Sequence, residues 1–144
     1  MTRNVRRAWL QAALIGAALS LVGHASAQNY PSKPIRLVVP FTPGGVTDTS
    51  GRLIAEQLSK RLGQQVIVDN KPGASGNIGT QLVASAEPDG YTLLLGFDGT
   101  MVINPHVFPK VGFDTAKDFA PIGKIGDAVL ILVAYPGTPI KTLK

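Results

Sequence analysis

Three short apolar runs, separated by two segments of helical periodicity, constrain the fold of this chain more than any other feature. The runs cover residues 35–39, 65–69 and 91–95, and each has the length and the Val, Ile and Leu content of a buried strand. Strands that alternate with helices in this way form parallel sheets, whose right-handed crossovers place helices over the faces of the sheet. The sequence therefore predicts an α/β fold.

Both intervening segments carry start and stop signals for helices. In the first, Thr47 or Asp48 can cap the N-terminus and Gly63 can end the helix, while residues at helical spacing are expected to face the sheet: Gly51, Ile54, Ala55, Leu58 and Leu62. The second helix is predicted to begin at Asn77, to end before Pro88-Asp89-Gly90, and to bury Ile78, Leu82, Val83 and Ala86. Beyond Gly96 the regularity fades: Asn104-Pro105 predicts a loop, and residues 129–135 predict one further strand.

The first 27 residues have the pattern of an export signal. Arg3, Arg6 and Arg7 precede an apolar run over residues 8–22, which ends near Ala25-Ser26-Ala27. The run of about fifteen residues is shorter than the roughly 20 needed to cross a bilayer, which favours cleavage after Ala27 over a retained membrane anchor. We therefore expect a signal peptide at 1–27, a mature domain at 28–144 and no membrane insertion after cleavage.

The charge of the chain argues against a nucleic-acid partner. Of the 14 Lys and Arg, three lie in the predicted signal, which leaves 11 against 9 Asp and Glu, a net charge of +2. The remaining basic residues are scattered along the chain and form no phosphate-binding stripe. The chain has no Cys, which excludes disulfides and cysteine-based metal or redox sites.

The sequence offers little for catalysis. His106 is the only His beyond residue 27, and no Gly-x-Ser-x-Gly segment supplies a nucleophilic serine. The glycines at 73, 76 and 79 fit neither a dinucleotide-binding nor a nucleoside-triphosphate-binding loop. We expect no enzyme activity, no metal and no cofactor; a small enzyme that depends on His106 is the weaker alternative.

Two Gly-rich turns predict a site made by the backbone. Residues 43–48 and 72–77 each connect the end of a strand to the start of a helix, at the sheet edge where ligands bind in open α/β folds. Helix N-termini present unpaired N–H groups, and glycine lets a ligand approach them closely, an arrangement that suits a carboxylate. Thr47, Ser75, Asn77 and Thr100 can add side-chain donors. The alternative is that the glycines only form tight turns and the hydroxyls only cap helices.

The order and spacing of these segments resemble the Bug family, the substrate-binding receptors of tripartite tricarboxylate transporters. The resembling stretches are YPSKPIR at 30–36, VPFTPGG at 39–45 with Thr47, Asp48 and Arg52, VDNKPGASGNIG at 68–79, PDGYTL at 88–93, INP at 103–105 and DFAPI at 118–122. Together they extend over nearly all of the predicted mature chain.

The resemblance implies one lobe of a two-lobed, Venus-flytrap periplasmic binding protein. Such a protein closes on a small mono-, di- or tricarboxylate or an acidic amino acid and delivers it to the membrane permease subunits of the transporter. Carried over to this chain, the ligand-binding residues lie in a first loop (residues 41–48), a second loop (residues 74–77) and a third loop that includes Gly99: Phe41, Pro43, Gly44, Gly45, Thr47, Asp48, Ala74, Ser75, Gly76, Asn77, Gly99 and Thr100.

Three departures from the family pattern bear on this interpretation. Ser75 stands where the family often has another Gly, and Asp98 places a negative charge beside the third loop, which favours a ligand amine or a bridging water. The second lobe of the family is largely missing, so we expect the chain to be an N-terminal ligand-binding lobe that is incomplete at its C-terminus. A non-functional truncated fragment is therefore the alternative to a working receptor.

Overall fold

The computed structural model describes residues 30–127, 133–137 and 139. Its strands are β1 (Ile35–Val39), β2 (Val66–Asn70) and β3 (Thr92–Leu94), and its α-helices are α1 (Val46–Leu62), α2 (Asn77–Ala84) and α3 (Asn104–Val107). A single 3₁₀ turn (Ala74–Gly76) precedes α2, and a π-helical turn (Gly99–Ile103) precedes α3. The predicted signal at 1–27 lies outside the described residues, as does most of the predicted strand at 129–135.

The three described strands form one parallel sheet in the order β2-β1-β3. The register pairs Ile35 with Val66 at one end of the β1–β2 ladder and Val39 with Asn70 at the other. All three strands therefore end at the same edge of the sheet, and the chain leaves each of them into one of the three loops. The predicted α/β fold is confirmed.

The apolar core lies between the sheet and α1. Alternate residues of β1 point to this face, and the buried cluster consists of Ile35, Leu37, Val39, Ala55, Val66 and Leu95. Gly51 allows α1 to approach the sheet, because a methyl group there would lie 2.9 Å from Val39 Cγ2. The opposite face of β1 carries Val38, which is fully buried, and α2 contacts both β1 and β3. The core thus holds β1 at the centre of the sheet.

The start of α1 differs from the predicted one. The N-cap is Gly45, which offers no side chain, and the helix begins at Val46. Asp48 is the third residue of the helix, and its carboxylate accepts a hydrogen bond from the N–H of Gly44. The carboxylate therefore bonds to the segment that precedes the helix and is not the N-cap. The end of α1 agrees with the sequence: Gly63 is left-handed, with φ 66°, and its N–H donates to the carbonyl of Ser59.

The buried face of α2 agrees with the prediction only in part, because Leu82 and Val83 are half-buried but Ile78 is not. Ile78 is 54% exposed, while the small residues Gly79 and Thr80 face the protein interior. A methyl group on Gly79 would lie 2.7 Å from the carbonyl oxygen of Lys71 and 3.0 Å from Pro40 Cα, so the helix packs against backbone at this point. The helix also ends earlier than predicted, at Ala84, and Asn104-Pro105 begins α3 where a loop was expected.

Candidate ligand-binding site

The first, second and third loops meet at the carboxyl edge of the sheet. The rings of Phe41 and Phe97 pack edge to face, with centroids 5.6 Å apart, and so join the first loop to the third, which covers residues 97–100. Gly76 lies against both neighbouring loops, because a methyl group there would be 2.6 Å from Thr100 Oγ1 and 3.4 Å from Phe41 Cζ. The structure therefore brings the three predicted binding segments together.

The first loop is held from beneath by the carboxylate of Asp48, which is only 4% exposed. Its Oδ2 accepts from the N–H of Gly44 at 2.9 Å and from Arg52 Nε at 3.0 Å, and its Oδ1 accepts from Asn70 Nδ2 at 3.0 Å. Arg52, Gly44 and Asn70, in that order, lower the pKa of Asp48 to about 2. The carboxylate is thus ionised, and its position gives it the role of an anchor for the loop.

Asn70 links the end of β2 to the same network. Its Nδ2 also donates to the carbonyl of Phe41 at 3.1 Å, and its Oδ1 accepts from Arg52 Nη2 at 3.3 Å. The amide group therefore cross-links the end of one strand to the loop after its neighbour, which fixes the height of the first loop above the sheet.

Unpaired backbone donors remain at the start of α1. The N–H of Gly45 bonds to no other described residue, and Val46 and Thr47, as the first two helical residues, lack intrahelical acceptors for their N–H groups. The hydroxyl of Thr47 is also without a partner in the described part of the chain, and Pro43, Gly44 and Gly45 are exposed. This end of the helix can therefore receive an anion from solvent.

The second loop takes an unusual backbone path. Ala74 and Ser75 have φ of 48° and 54°, in the left-handed region that residues with a side chain rarely occupy. Both residues are exposed, and neither their N–H groups nor the Ser75 hydroxyl has a hydrogen-bond partner within the described ranges. Gly76 and Asn77 are buried below them. A second set of donors thus lies next to the first.

The two third-loop residues that were predicted to bind the ligand, Gly99 and Thr100, do not present open donors. The N–H of Gly99 donates to the carboxylate of Asp98 at 2.8 Å, and the N–H of Thr100 donates to the carbonyl of Phe97 at 3.0 Å. The Thr100 hydroxyl, in a side chain that is 1% exposed, donates to the carbonyl of Ser75. The structure therefore places Thr100 in support of the second loop, while Gly99 bonds within its own turn, which Asp98 caps.

Sequence reasoning missed two residues that shape this site. Asn70 could have been found as a polar residue at the carboxyl end of a buried strand. Asn104 had no comparable signal, because its contacts are with the distant Ser75 and Asn77. His106, the residue considered for catalysis, is exposed on α3. No group of His, Asp or Glu in the described part of the chain is arranged to hold a metal ion, and none of its helices has the length and apolarity to span a membrane.

Solved structures share this fold. The periplasmic binding protein BugD matches with a TM-score of 0.63 and 44% sequence identity, over 65% of this chain and 31% of BugD. MatC from Rhodopseudomonas palustris, solved with bound malate, matches with a TM-score of 0.62 and 42% identity, over 64% of this chain and 31% of MatC. The parallel sheet with its three converging loops therefore has the fold of part of one lobe of these periplasmic binding proteins.

Sequence comparisons narrow this class to a family. The family described as the tripartite tricarboxylate transporter family receptor, TctC, matches residues 51–144. A UPF0065 protein of Bordetella pertussis (strain Tohama I) is 43% identical over 129 residues, which cover 88% of this chain and 39% of the relative. The chain belongs to the tripartite tricarboxylate transporter receptor family, as the resemblance to Bug receptors predicted, and its matches cover between 30% and 44% of the length of the curated relatives.

Proposed function

We propose that this chain is an extracytoplasmic solute-binding protein that captures a small carboxylate for a tripartite tricarboxylate transporter. The observation that carries the proposal is the pair of neighbouring donor sets at the carboxyl edge of the sheet, the N–H groups of residues 45–47 and those of Ala74 and Ser75. Gly45, Val46, Ala74 and Ser75 are exposed and Thr47 is half-buried. Both sets lie at the start of a helical turn, where the backbone dipoles favour an anion.

The two donor sets suit a carboxylate better than a neutral ligand. A carboxylate has two oxygens that each accept more than one hydrogen bond, and bonds from N–H to a charged oxygen are stronger than neutral ones. The hydroxyls of Thr47 and Ser75 lie among these donors and extend the set. Phe41, Pro43, Gly44, Gly76 and Asn77 shape the site, and Asp48 holds the first loop without meeting the ligand.

The proposed class of ligands is broad, because the described donors can recognise only the carboxylate group. Backbone donors recognise a carboxylate and say little about the rest of the molecule, so mono-, di- and tricarboxylates and acidic amino acids all fit this half of the site. The malate bound to the related MatC supports a dicarboxylate as the first compound to test. No cofactor or metal is required for capture.

The cellular setting is part of the same proposal. The family is described as a transporter receptor, and its solved member BugD as a periplasmic binding protein. We propose that residues 1–27 direct export, that cleavage follows Ala27, and that the mature protein works in the periplasm with the permease subunits of the transporter. The role is capture and delivery, not catalysis.

The test is isothermal calorimetry of the full chain with malate, citrate and aspartate, paired with two charge-adding variants. Thr47→Glu places a carboxylate among the donors, where repulsion at about 4–6 Å should weaken malate binding by more than about tenfold. Gln57→Glu adds a carboxylate at an exposed position near the middle of α1 and should leave the affinity within about twofold. Equal effects of the two variants would refute the proposed site. A wild-type chain that binds none of the three compounds would refute the function and favour the truncated-fragment alternative.

A further inference from the structure

The backbone of the second loop is held in a conformation that it would not keep alone. Ala74 and Ser75 are consecutive left-handed residues with side chains, and such residues persist only where the surrounding structure fixes them. The preceding Gly73 and the following Gly76 also have positive φ, of 130° and 90°. Four consecutive residues thus depart from the usual backbone regions, at the point where the loop presents its open N–H groups.

One carbonyl group connects this strained segment to the rest of the protein. The carbonyl oxygen of Ser75 accepts from Thr100 Oγ1 at 3.0 Å and from Asn104 Nδ2 at 3.0 Å. The two donor side chains are 1% and 7% exposed, so water does not compete strongly for these bonds. Because the carbonyl points inward to these donors, the peptide plane that carries it is fixed, and with it the turn that exposes the neighbouring N–H groups.

The orientation of the Asn104 amide is itself fixed. Its Nδ2 also donates to Asn77 Oδ1 at 2.7 Å, and Asn77, the first residue of α2, is 6% exposed. Asn104 therefore binds both the strained turn and the helix that follows it. Thr100 and Asn104 are four residues apart, Thr100 within the π-helical turn and Asn104 directly after it, and this turn brings both side chains to a single acceptor.

We propose that Thr100 and Asn104 are positioning residues that hold the N–H groups of Ala74 and Ser75 in their ligand-facing orientation, an inference that rests on the proposed carboxylate-binding function. Neither residue contacts the ligand. Their removal should release the Ser75 carbonyl, let residues 74 and 75 relax to more common backbone angles, and misdirect the second donor set.

The chain contains a matched control for this proposal. Thr80 is also fully buried, at 0% exposure, but its hydroxyl has no hydrogen-bond partner among the described residues. Thr80→Val and Thr100→Val therefore make the same change of shape in two buried threonines, one of which holds the loop. Thr100→Ser keeps the hydroxyl and tests rescue.

The experiment measures the dissociation constant of malate by calorimetry and the backbone amide signals of Ala74 and Ser75 by NMR. Thr100→Val should weaken malate binding by about fivefold or more, the equivalent of one net hydrogen bond, and should move both amide signals. Asn104→Asp, which removes both donors, should weaken binding further, while Thr100→Ser should restore most of the affinity. Thr80→Val should leave the dissociation constant and the two signals unchanged.

Two results would overturn the proposal. One is a Thr100→Val protein that binds malate as the wild type does; the other is an equal loss in Thr80→Val, which would indicate a general effect of core changes. If the wild-type chain binds no malate, the proposed function fails, and the NMR comparison then decides the loop inference separately. Unmoved Ala74 and Ser75 signals in Thr100→Val would refute it.

Discussion

Comparison of Gly76→Ala with Gly44→Ala separates the energetic cost of crowding between the binding loops from the cost of backbone strain. The two glycines have nearly equal φ, 90° and 88°, and both lie in loops of the candidate site. Their surroundings differ: a methyl group at Gly44 would find no atom within 4 Å, whereas one at Gly76 would lie 2.6 Å from Thr100 Oγ1 and 3.3 Å from Thr100 Cγ2. Replacement of each by Ala therefore places a side chain at positive φ, but only Gly76→Ala also adds overlap.

The magnitudes follow from these distances. A residue with a side chain at positive φ costs about 1–2 kcal/mol, so Gly44→Ala should lower the free energy of unfolding by about that amount. Overlap in a well-packed region costs about 1–3 kcal/mol more, so Gly76→Ala should lose about 2–5 kcal/mol. Equilibrium urea unfolding, with slopes compared between the proteins, measures both values. Equal losses in the two variants would refute the view that the second and third loops are closely packed.

Two further predictions concern the anchor of the first loop and the packing of α2. Because the pKa of Asp48 is lowered from 3.8 to about 2, its ionised form stabilises the fold above about pH 4, and this contribution is lost as the pH falls through about 2. Asp48→Asn should therefore be less stable than the wild type at neutral pH, and the difference between them should shrink between pH 4 and pH 2; urea midpoints across this range check it, and a constant difference would contradict it. Gly79→Ala should lower the free energy of unfolding by up to about 2 kcal/mol, because overlap with the Lys71 carbonyl and Pro40, at about 1–3 kcal/mol, offsets the gain of about 1 kcal/mol in helix propensity. A more stable Gly79→Ala protein would show that α2 can move away from the backbone it contacts.

Much of the fold could be predicted because its signals are local. The apolar run 35–39 is β1 itself, Gly63 ends α1 through its own left-handed backbone, and the Gly-rich turns identify the loops at the sheet edge. The burial of Gly79 and Thr80 on α2 could not be predicted from hydrophobic periodicity, because that pattern considers only large apolar residues. Gly79 faces inward because the backbone of Lys71 and Pro40 leaves no room there for a side chain, and the neighbouring Thr80 is fully buried as well.

The candidate site likewise combines features that local sequence signals predict with features that depend on distant contacts. The loops that carry the open donors follow from sequence, because glycine and helix starts determine them locally. The direction of each donor does not: Thr100 has a hydroxyl suited to a ligand, yet it bonds to Ser75, 25 residues earlier in the chain. Asn104 takes its role from Ser75 and Asn77, which reach it only after the sheet and the π-helical turn have formed. Hydrogen bonds between distant segments are therefore the part of the site that the sequence pattern could not predict.

The position of β1 at the centre of the sheet has a consequence for biosynthesis. This strand emerges first from the ribosome, but both of its hydrogen-bonded neighbours come later, and the pairing with β3 needs residues 92–94. Long-range parallel pairing is slow, because distant segments must meet before any contact stabilises them. We therefore expect the nascent polypeptide to remain extended and accessible at least until residues 92–94 have been translated, a state that suits the export proposed above.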